Sequence, residues 1–150
     1  MLSGVELLEG PAPLSPAHPV MSCSEALALA VWERHVVQPA ARDLLAAQVV
    51  RIEHFGTYNC RPIRGEADHL SEHAFADAID ISAFDLASGR QVSVLKDYRA
   101  AGPGGAFLRR VRRGACGVFG HALGPDYNAD HHDHFHLDMG AWLGPWGMCR

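Results

Sequence analysis

The sequence predicts an α+β domain, because helical and strand-like patterns of apolar residues both occur within one chain of 150 residues. Strand-like alternation, with many β-branched residues, occurs at 49–55, 78–84 and 91–95. Helical spacing of apolar residues follows Ser22 and occurs again after Pro103. The short turn before 91–95 predicts a hairpin with the preceding strand. A chain of this length fits a single domain with a sizeable core.

The N-terminal segment is predicted to form an extended arm over residues 1–21, followed by one domain over 22–150. Proline is dense in this arm and disfavours regular structure there. The prolines are Pro11, Pro13, Pro16 and Pro19. The first ten residues carry Glu6 and Glu9 but no basic residue, so they do not resemble a secretory signal as they stand.

The two predicted helices have identifiable starts. Ser22 and Glu25 have the spacing of a capping box, and Pro39 either breaks this helix or opens a second one through Leu45. The helix after Pro103 has one apolar face and one arginine-rich face. We interpret the arginine-rich face as solvated, although attraction to an anionic cell-wall polymer is an alternative. Its arginines are Arg109, Arg110, Arg112 and Arg113.

Overall charge and hydropathy exclude some classes of function. The net charge of -4 gives no indication of nucleic-acid binding. No stretch approaches the roughly 18 apolar residues that a membrane-spanning helix needs. We therefore expect neither a nucleic-acid partner nor a transmembrane segment in this chain.

The four cysteines predict two disulfides in an oxidising compartment, because their number is even and no Cys-x-x-Cys pair suggests a zinc knuckle. Pairing neighbours in chain order joins Cys23 to Cys60 and Cys116 to Cys149. The first bridge would connect the start of the first helix to the loop after the strand that it covers. The alternative is four buried thiols. An exported protein would have its signal removed or located upstream of this sequence.

A histidine-rich segment, Asp130–Asp138, reads Asp-His-His-Asp-His-Phe-His-Leu-Asp. Imidazole is the commonest protein ligand for transition metals. In a strand, residues two apart point to the same side, so His134 and His136 would share one face while Phe135 and Leu137 face the core. This pattern predicts a metal or catalytic site. The alternative is a polar loop whose histidines are solvated.

A second candidate segment joins a histidine to a carboxylate. Asp80 lies within an apolar strand, where a buried carboxylate is costly unless it is paired. His73 lies seven residues earlier, in a turn that leads to this strand. A loop histidine and a strand aspartate can converge on one ion. Alternatively, Asp80 accepts backbone hydrogen bonds and His73 is solvated.

Joined together, His73, Asp80 and His136 form a set of ligands that zinc accepts, with a fourth position left open for water. We therefore predict one zinc ion per chain. Zinc lowers the pKa of a bound water towards ~7 and polarises a carbonyl oxygen. His134 is predicted to take the water's proton, since an imidazole with an ordinary pKa near ~6.5 suits a general base.

These segments resemble known motifs. The pattern Ser-x-His-x-x-Ala-x-Ala-x-Asp over 71–80 is similar to the Ser-x-His-x-x-Gly-x-Ala-x-Asp motif of zinc peptidases. That group includes D-alanyl-D-alanine peptidases, murein endopeptidases and hedgehog domains. Ala76 stands where the group has glycine, and its methyl group would narrow the metal loop. The pattern His131-x-x-His134-x-His136 resembles the ending of the penicillin-insensitive murein endopeptidase branch.

A closer resemblance covers about residues 20 to 150. This resemblance is to the bacterial extensin-like C-terminal domain family. The name of that family does not describe a function. The matching features are Cys23, Tyr58-x-Cys60-Arg61, Leu70-Ser-Glu-His73-Ala, Asp133-His-Phe-His136 and Cys149-Arg150.

The resemblance implies a small central, mostly antiparallel sheet that carries the metal site and is flanked by helices, as in hedgehog and D-Ala-D-Ala peptidase folds. It also implies that His73, Asp80 and His136 bind the metal. The implied catalytic residue is His134, and the implied supporting residue is His131. Strand parity alone would place His132, and not His131, on the same face as His134.

Arg61 matches the family's Tyr-x-Cys-Arg motif. It is the candidate for stabilising a tetrahedral oxyanion. The alternative is that Arg61 only pairs with a carboxylate.

The resemblance implies a zinc-dependent peptidase that acts on peptidoglycan peptides in the periplasm or cell envelope, as an endopeptidase or a carboxypeptidase. We assume a monomer, since the sequence does not indicate an oligomeric state. One alternative is an inactive, zinc-containing binding module of the cell envelope. A second is a phosphoesterase, suggested by Asp130-His131-His132. It is disfavoured because such enzymes need further Asp-rich motifs and a longer chain.

Overall fold

A computed structural model describes residues 12–140 and 147–150. Its strands are β1 (Leu14–Ser15), β2 (Val49–His54), β3 (Pro62–Ile63), β4 (Glu66–Leu70), β5 (Ala78–Leu86), β6 (Gln91–Ser93), β7 (His121–Leu123), β8 (Phe135–Asp138) and β9 (Met148–Cys149). Its helices are α1 (Cys23–Trp32), α2 (Gln38–Leu45), α3 (Val94–Asp97) and α4 (Pro103–Ala115), with a π-helical segment at Glu33–Val37 and 3₁₀ turns at Glu72–Phe75 and Ala129–His131. The α+β class is confirmed.

The main sheet has the strand order β1-β2-β5-β8-β7-β9, and β6 also pairs with β5. The prediction of a mostly antiparallel sheet needs correction, because the sheet is mixed. Its two outermost strands, β1 and β9, pair in parallel with β2 and β7. Both come from the ends of the chain, and short edge strands of this kind carry no pattern in the sequence that fixes their direction. The segment predicted as an arm thus contributes β1 to the sheet.

The pairing of β5 with β8 positions the candidate site. Asp80 lies directly opposite His136 in this antiparallel pair. The neighbouring positions Ile79, Ile81, Phe135 and Leu137 are completely buried. The alternation predicted for both segments is confirmed, because these apolar residues cover the core while Asp80 and His136 point to the opposite face.

Helix α1 begins where the sequence predicts. The Ser22 hydroxyl accepts a hydrogen bond from the backbone N–H of Glu25 at 3.0 Å. This bond satisfies a donor that has no partner within the helix. Pro39 lies in the first turn of α2 and opens that helix, since proline lacks only a donor that the first turn does not use.

Aromatic side chains join α1 and α4 to the sheet. The ring of Trp32 lies 6.0 Å from that of Phe84 on β5, and Phe84 lies 5.1 Å from Phe107 on α4. The indole N–H of Trp32 donates to the carbonyl of Val111 at 2.9 Å. The Phe84–Phe107 pair has the preferred edge-to-face geometry, and all three rings are completely buried. The helices therefore hold β5, and with it Asp80, from the face opposite the site.

Two segments in which the sequence shows no strand-like alternation nevertheless contain strands. The segment 56–65 includes β3, which pairs with β4 in a separate two-stranded sheet, and 120–128 includes β7. β3 spans two residues and β7 spans three, too few to show an alternating pattern. His134 also differs from expectation, because it lies one residue before β8.

The cysteines form one of the two predicted bridges. Cys116 is bonded to Cys149, which ties β9 to the end of α4. The predicted Cys23–Cys60 bridge is absent, and both of these residues are exposed, free thiols. Chain order suggested this pair, but a bridge also requires the two Cβ atoms to lie about 3.5–4.5 Å apart, which chain order does not ensure.

The Cys116–Cys149 bridge gives a stability prediction. Cys149→Ser opens a bridge between residues separated by 33 positions. The chain-entropy model assigns a bridge of this size about 3–4 kcal/mol, so we expect a melting temperature lower by roughly 10 °C or more. Thermal denaturation followed by circular dichroism measures this. Cys23→Ser, at an exposed free thiol, is the control and should change little. Equal melting temperatures for both variants would contradict the prediction.

Candidate metal centre

Three elements bring the predicted ligands together. His73 lies on the 3₁₀ turn, Asp80 on β5 and His136 on β8. His73 Nε2 lies 3.2 Å from His136 Nδ1 and 3.2 Å from an oxygen of Asp80. His136 Nδ1 lies 3.1 Å from the other oxygen of Asp80. These side chains form a group that could hold a metal ion, with ligand atoms all within 4.8 Å of one another.

The turn that carries His73 has a strained end. The backbone N–H of His73 donates to the Ser71 hydroxyl, and Ala76 ends the turn with φ 57° and ψ 28°. This left-handed conformation costs a residue with a Cβ atom roughly 1–2 kcal/mol, and glycine pays no such cost. The conformation gives a physical reason for glycine at this position in the zinc peptidase motif. In this chain alanine occupies the position, and Ala76 is buried.

Hydrogen bonds behind the ligands set which ring nitrogens carry protons. His73 Nδ1 lies 2.8 Å from the carbonyl oxygen of Thr57, which only accepts, so Nδ1 donates and Nε2 keeps its lone pair. His136 Nε2 lies 2.7 Å from Asp138 and donates to it, which leaves the lone pair on Nδ1. When both rings are neutral, their two lone pairs and the Asp80 carboxylate therefore face one another without a donor between them. Such an arrangement requires a positive charge at its centre.

The pKa shifts within this group have the same origin. Burial would raise the pKa of Asp80, but hydrogen bonds from His136 and His73 outweigh it and lower that pKa far below its usual range. Burial would lower the pKa of His136, but its bonds to Asp138 and Asp80 raise it to about 9. Without a metal ion, a proton on His136 therefore supplies the positive charge.

His134 lies at the edge of this group. Its Nε2 is 3.5 Å from Asp80, and its Nδ1 is 2.8 Å from the carboxylate of Asp133. The ring of Phe55 packs edge-on against it at 5.9 Å. Because Nδ1 donates to Asp133 in the neutral ring, the Nε2 lone pair faces the cluster. The side chain is thus oriented to accept a proton there.

His131 lies beside His134, with ring centres 5.1 Å apart. Burial, together with the nearby His134 and His136, lowers the pKa of His131 to about 4, so this ring is neutral at neutral pH. His132 instead extends into solvent. Strand parity would favour His132, but 129–131 forms a 3₁₀ turn, in which the parity of a strand does not apply.

A groove of about 360 Å³ opens over these histidines. Arg61 lines this groove and is exposed, and its guanidinium donates to the carbonyl of Pro62 at 3.5 Å. Within residues 12–140 and 147–150, no carboxylate forms an ion pair with Arg61. Arg64 does form one, with Asp130 at 3.1 Å across the groove. That pair is exposed and contributes at most about 1 kcal/mol.

A sequence model of the family described as Extensin-like protein C-terminus matches residues 3–150. The chain belongs to this family. No curated protein and no solved structure matches it. In the described part of this extensin-like domain, no helix is both long and apolar enough to cross a membrane.

Sequence reasoning missed several groups that support the site of this extensin-like domain. Asp138 follows His136 by two residues on β8, so strand periodicity places it on the same face and could have found it. Asp133 directly precedes His134 in the sequence, and adjacency alone does not predict that the two side chains contact each other. Thr57 contributes only its carbonyl, which no residue type predicts.

Glu25 is a buried acid close to the site. Its side chain is fully buried, and neither carboxylate oxygen has a hydrogen-bond partner among the described residues. Burial, together with the negative charges of Asp138 and Asp77, raises the pKa of Glu25 to about 9. The extensin-like domain therefore holds this acid in its neutral form at pH 7.

Glu25 makes folding depend on pH. The folded domain keeps the proton up to about pH 9, whereas the unfolded chain loses it near pH 4.5. The folded state thus binds more protons between these values, and this group's contribution to stability is lost as pH rises from 4.5 towards 9. We expect Glu25→Gln, which is neutral at every pH, to melt several degrees above the wild type at pH 8 but not at pH 4.5.

Melting temperatures of the chelator-treated proteins between pH 4.5 and 8.5 measure this effect. Asp68→Asn, at an exposed carboxylate, is the matched control and should follow the wild type. Parallel curves for the wild type and Glu25→Gln would show that Glu25 ionises normally in the folded domain.

Proposed function

We propose that this extensin-like domain is a zinc-dependent peptidase that hydrolyses peptidoglycan peptides. The observation that carries the proposal is the convergence of His73 Nε2, His136 Nδ1 and the Asp80 carboxylate on one point beside the groove. The two imidazole nitrogens lie 3.2 Å apart, close to the ~3.4 Å between ligand atoms in a tetrahedron with zinc bonds of about 2.0–2.1 Å. Each of these nitrogens also lies 3.1–3.2 Å from one of the two carboxylate oxygens of Asp80. The nitrogen and oxygen donors also suit zinc.

Three protein ligands leave one position open towards the groove, as catalytic zinc sites require. A bound zinc ion supplies Lewis-acid activation of a substrate carbonyl and of a water molecule. His134 accepts the water's proton at Nε2, which faces the cluster, and Asp133 holds the ring in that orientation. The same ring then returns the proton to the leaving amine.

The other two predicted residues act from the walls of the groove. His131 is neutral and lies next to His134, where it supports that ring without repelling its imidazolium form. Arg61 keeps its guanidinium free of any carboxylate within the described chain. Its positive charge is therefore available to a developing oxyanion.

Motif similarity and the disulfide support a proposal for the substrate and the location. The motifs over 71–80 and 131–136 resemble those of murein endopeptidases and D-alanyl-D-alanine peptidases. The Cys116–Cys149 disulfide is typical of proteins in oxidising compartments. We therefore propose peptidoglycan peptides as the substrate and a periplasmic or cell-envelope location.

A second candidate function is a zinc-containing binding module of the cell envelope that has no turnover. The position of Arg61 favours it, because the guanidinium contacts the carbonyl of Pro62 and no member of the metal cluster. Without a donor at the reacting carbonyl, zinc and His134 alone would leave the oxyanion stabilised only by the ion.

Hydrolysis of purified peptidoglycan and of its soluble peptides separates these two functions. The zinc-loaded domain is incubated with each substrate, and new amine or carboxyl termini are identified by liquid chromatography and mass spectrometry. The peptidase predicts new products that disappear with a chelator and return with added zinc. Stoichiometric zinc with no product from any of these substrates would favour the binding module.

A further inference from the structure

Asp138 connects the metal ligand His136 to the protein core. It is only 3% exposed, at the end of β8. One carboxylate oxygen, Oδ2, accepts from His136 Nε2 at 2.7 Å. The other, Oδ1, accepts from His121 Nδ1 at 2.6 Å and from the backbone N–H of Gly140 at 2.8 Å. The carboxylate is thus held by three donors.

We propose that Asp138 is a positioning residue for the metal ion: it fixes the proton of His136 on Nε2 and so presents the Nδ1 lone pair to the site. This inference rests on the metal centre proposed above. It adds a residue outside the ligand set and assigns it a specific task. Hydrogen-bond partners of ligating histidines commonly fix the tautomer and ring orientation.

The geometry shows why His136 needs such a partner. Its Nδ1, and not its Nε2, faces Asp80 and His73. A neutral imidazole carries one proton, so a proton on Nδ1 would remove the lone pair that the metal requires. His73 faces the site through the opposite nitrogen, Nε2, and the carbonyl of Thr57 holds its proton on Nδ1. Each ring therefore has its own acceptor on the side away from the site.

The backbone N–H of Gly140 determines how the amide of an asparagine at position 138 would be oriented. A backbone N–H only donates, so whichever atom takes the Oδ1 position must accept. In Asp138→Asn, the amide oxygen therefore occupies that position and the NH₂ group faces His136 Nε2. This forces Nε2 to accept and moves the ring proton to Nδ1. Asparagine keeps the shape of the side chain but imposes the wrong tautomer.

Zinc affinity tests this role, measured by competition with a chromogenic chelator at fixed pH. We expect Asp138→Asn to weaken binding about 10- to 100-fold. Asp138→Ala, which imposes neither tautomer, should weaken binding no more than Asp138→Asn does. A purely structural role predicts the reverse order, because asparagine preserves the packing that alanine loses. Asp133→Asn is the matched control, since its partner His134 is not a ligand, and its zinc affinity should stay within threefold of the wild type.

A second measurement does not depend on the folding of any variant. Nitrogen-15 NMR of the zinc-loaded wild type should show His136 bound through Nδ1 with its proton on Nε2. Binding through Nε2, less than tenfold weakening in Asp138→Asn, or a larger loss in Asp138→Ala than in Asp138→Asn would overturn the role of Asp138 alone. A wild type that binds no zinc would overturn the proposed metal centre and this inference together.

Discussion

Replacement of His73 by alanine is expected to abolish stoichiometric zinc binding. The substitution leaves Asp80 and His136, and two protein ligands rarely hold zinc in competition with buffer. His73 is also the buried member of the set. Structural and catalytic zinc sites use at least three protein ligands, which gives this variant the largest expected effect on the metal.

Zinc content after gel filtration, determined by elemental analysis, measures this loss. The wild type should retain one equivalent per chain, and His73→Ala close to none. His132→Ala is the control, because His132 belongs to the same histidine-rich segment but is largely exposed. A full equivalent of zinc in His73→Ala would show that the ligand assignment is wrong.

Replacement of His134 by alanine is expected to leave zinc bound and to remove most of the turnover, by roughly 100-fold or more. His134 lies 3.5 Å from Asp80 but outside the three-residue ligand group. The variant loses the proton acceptor, while the groups that hold the metal stay in place. The proposed activity therefore falls through the rate constant and not through loss of the ion.

Zinc content and peptide hydrolysis, measured on the same preparation of His134→Ala, test this separation. His132→Ala should again match the wild type in both. Loss of zinc together with activity would make His134 a ligand, and an unchanged rate would remove it from the mechanism.

The local pattern of the sequence predicted which residues of the two central strands face the core and which face the opposite side. Alternation in β5 and β8 placed Ile79 and Phe135 in the core, and it placed Asp80 and His136 on the other face. This succeeds because side-chain direction in a strand has a period of two, which a single segment displays. The loop histidine His73 was assigned by its chemistry and its distance along the chain.

Features that depend on distant segments were not predictable in this way. β1 pairs in parallel with β2, and β9 pairs in parallel with β7, so each pairing joins residues far apart in the sequence. Neither short strand carries a pattern that specifies its partner. The exposed thiols of Cys23 and Cys60 show the same limit, because side-chain direction decides whether a bridge forms.

The position of His131 depended on a local 3₁₀ turn at 129–131, which strand parity does not describe. The hydrogen bonds that orient His73 and His136 were equally difficult to predict. They use a backbone carbonyl from Thr57 and a backbone N–H from Gly140, and these groups occur at nearly every position of any chain.

The central claim is that one zinc ion is held by His73, Asp80 and His136 with one position left open. Anomalous diffraction at the zinc absorption edge, from crystals of the zinc-loaded domain, tests this most directly. The account predicts a single peak about 2.0–2.2 Å from His73 Nε2, an Asp80 carboxylate oxygen and His136 Nδ1, with the fourth position facing the groove. A peak elsewhere, or one whose fourth ligand is His131 or His134, would contradict it.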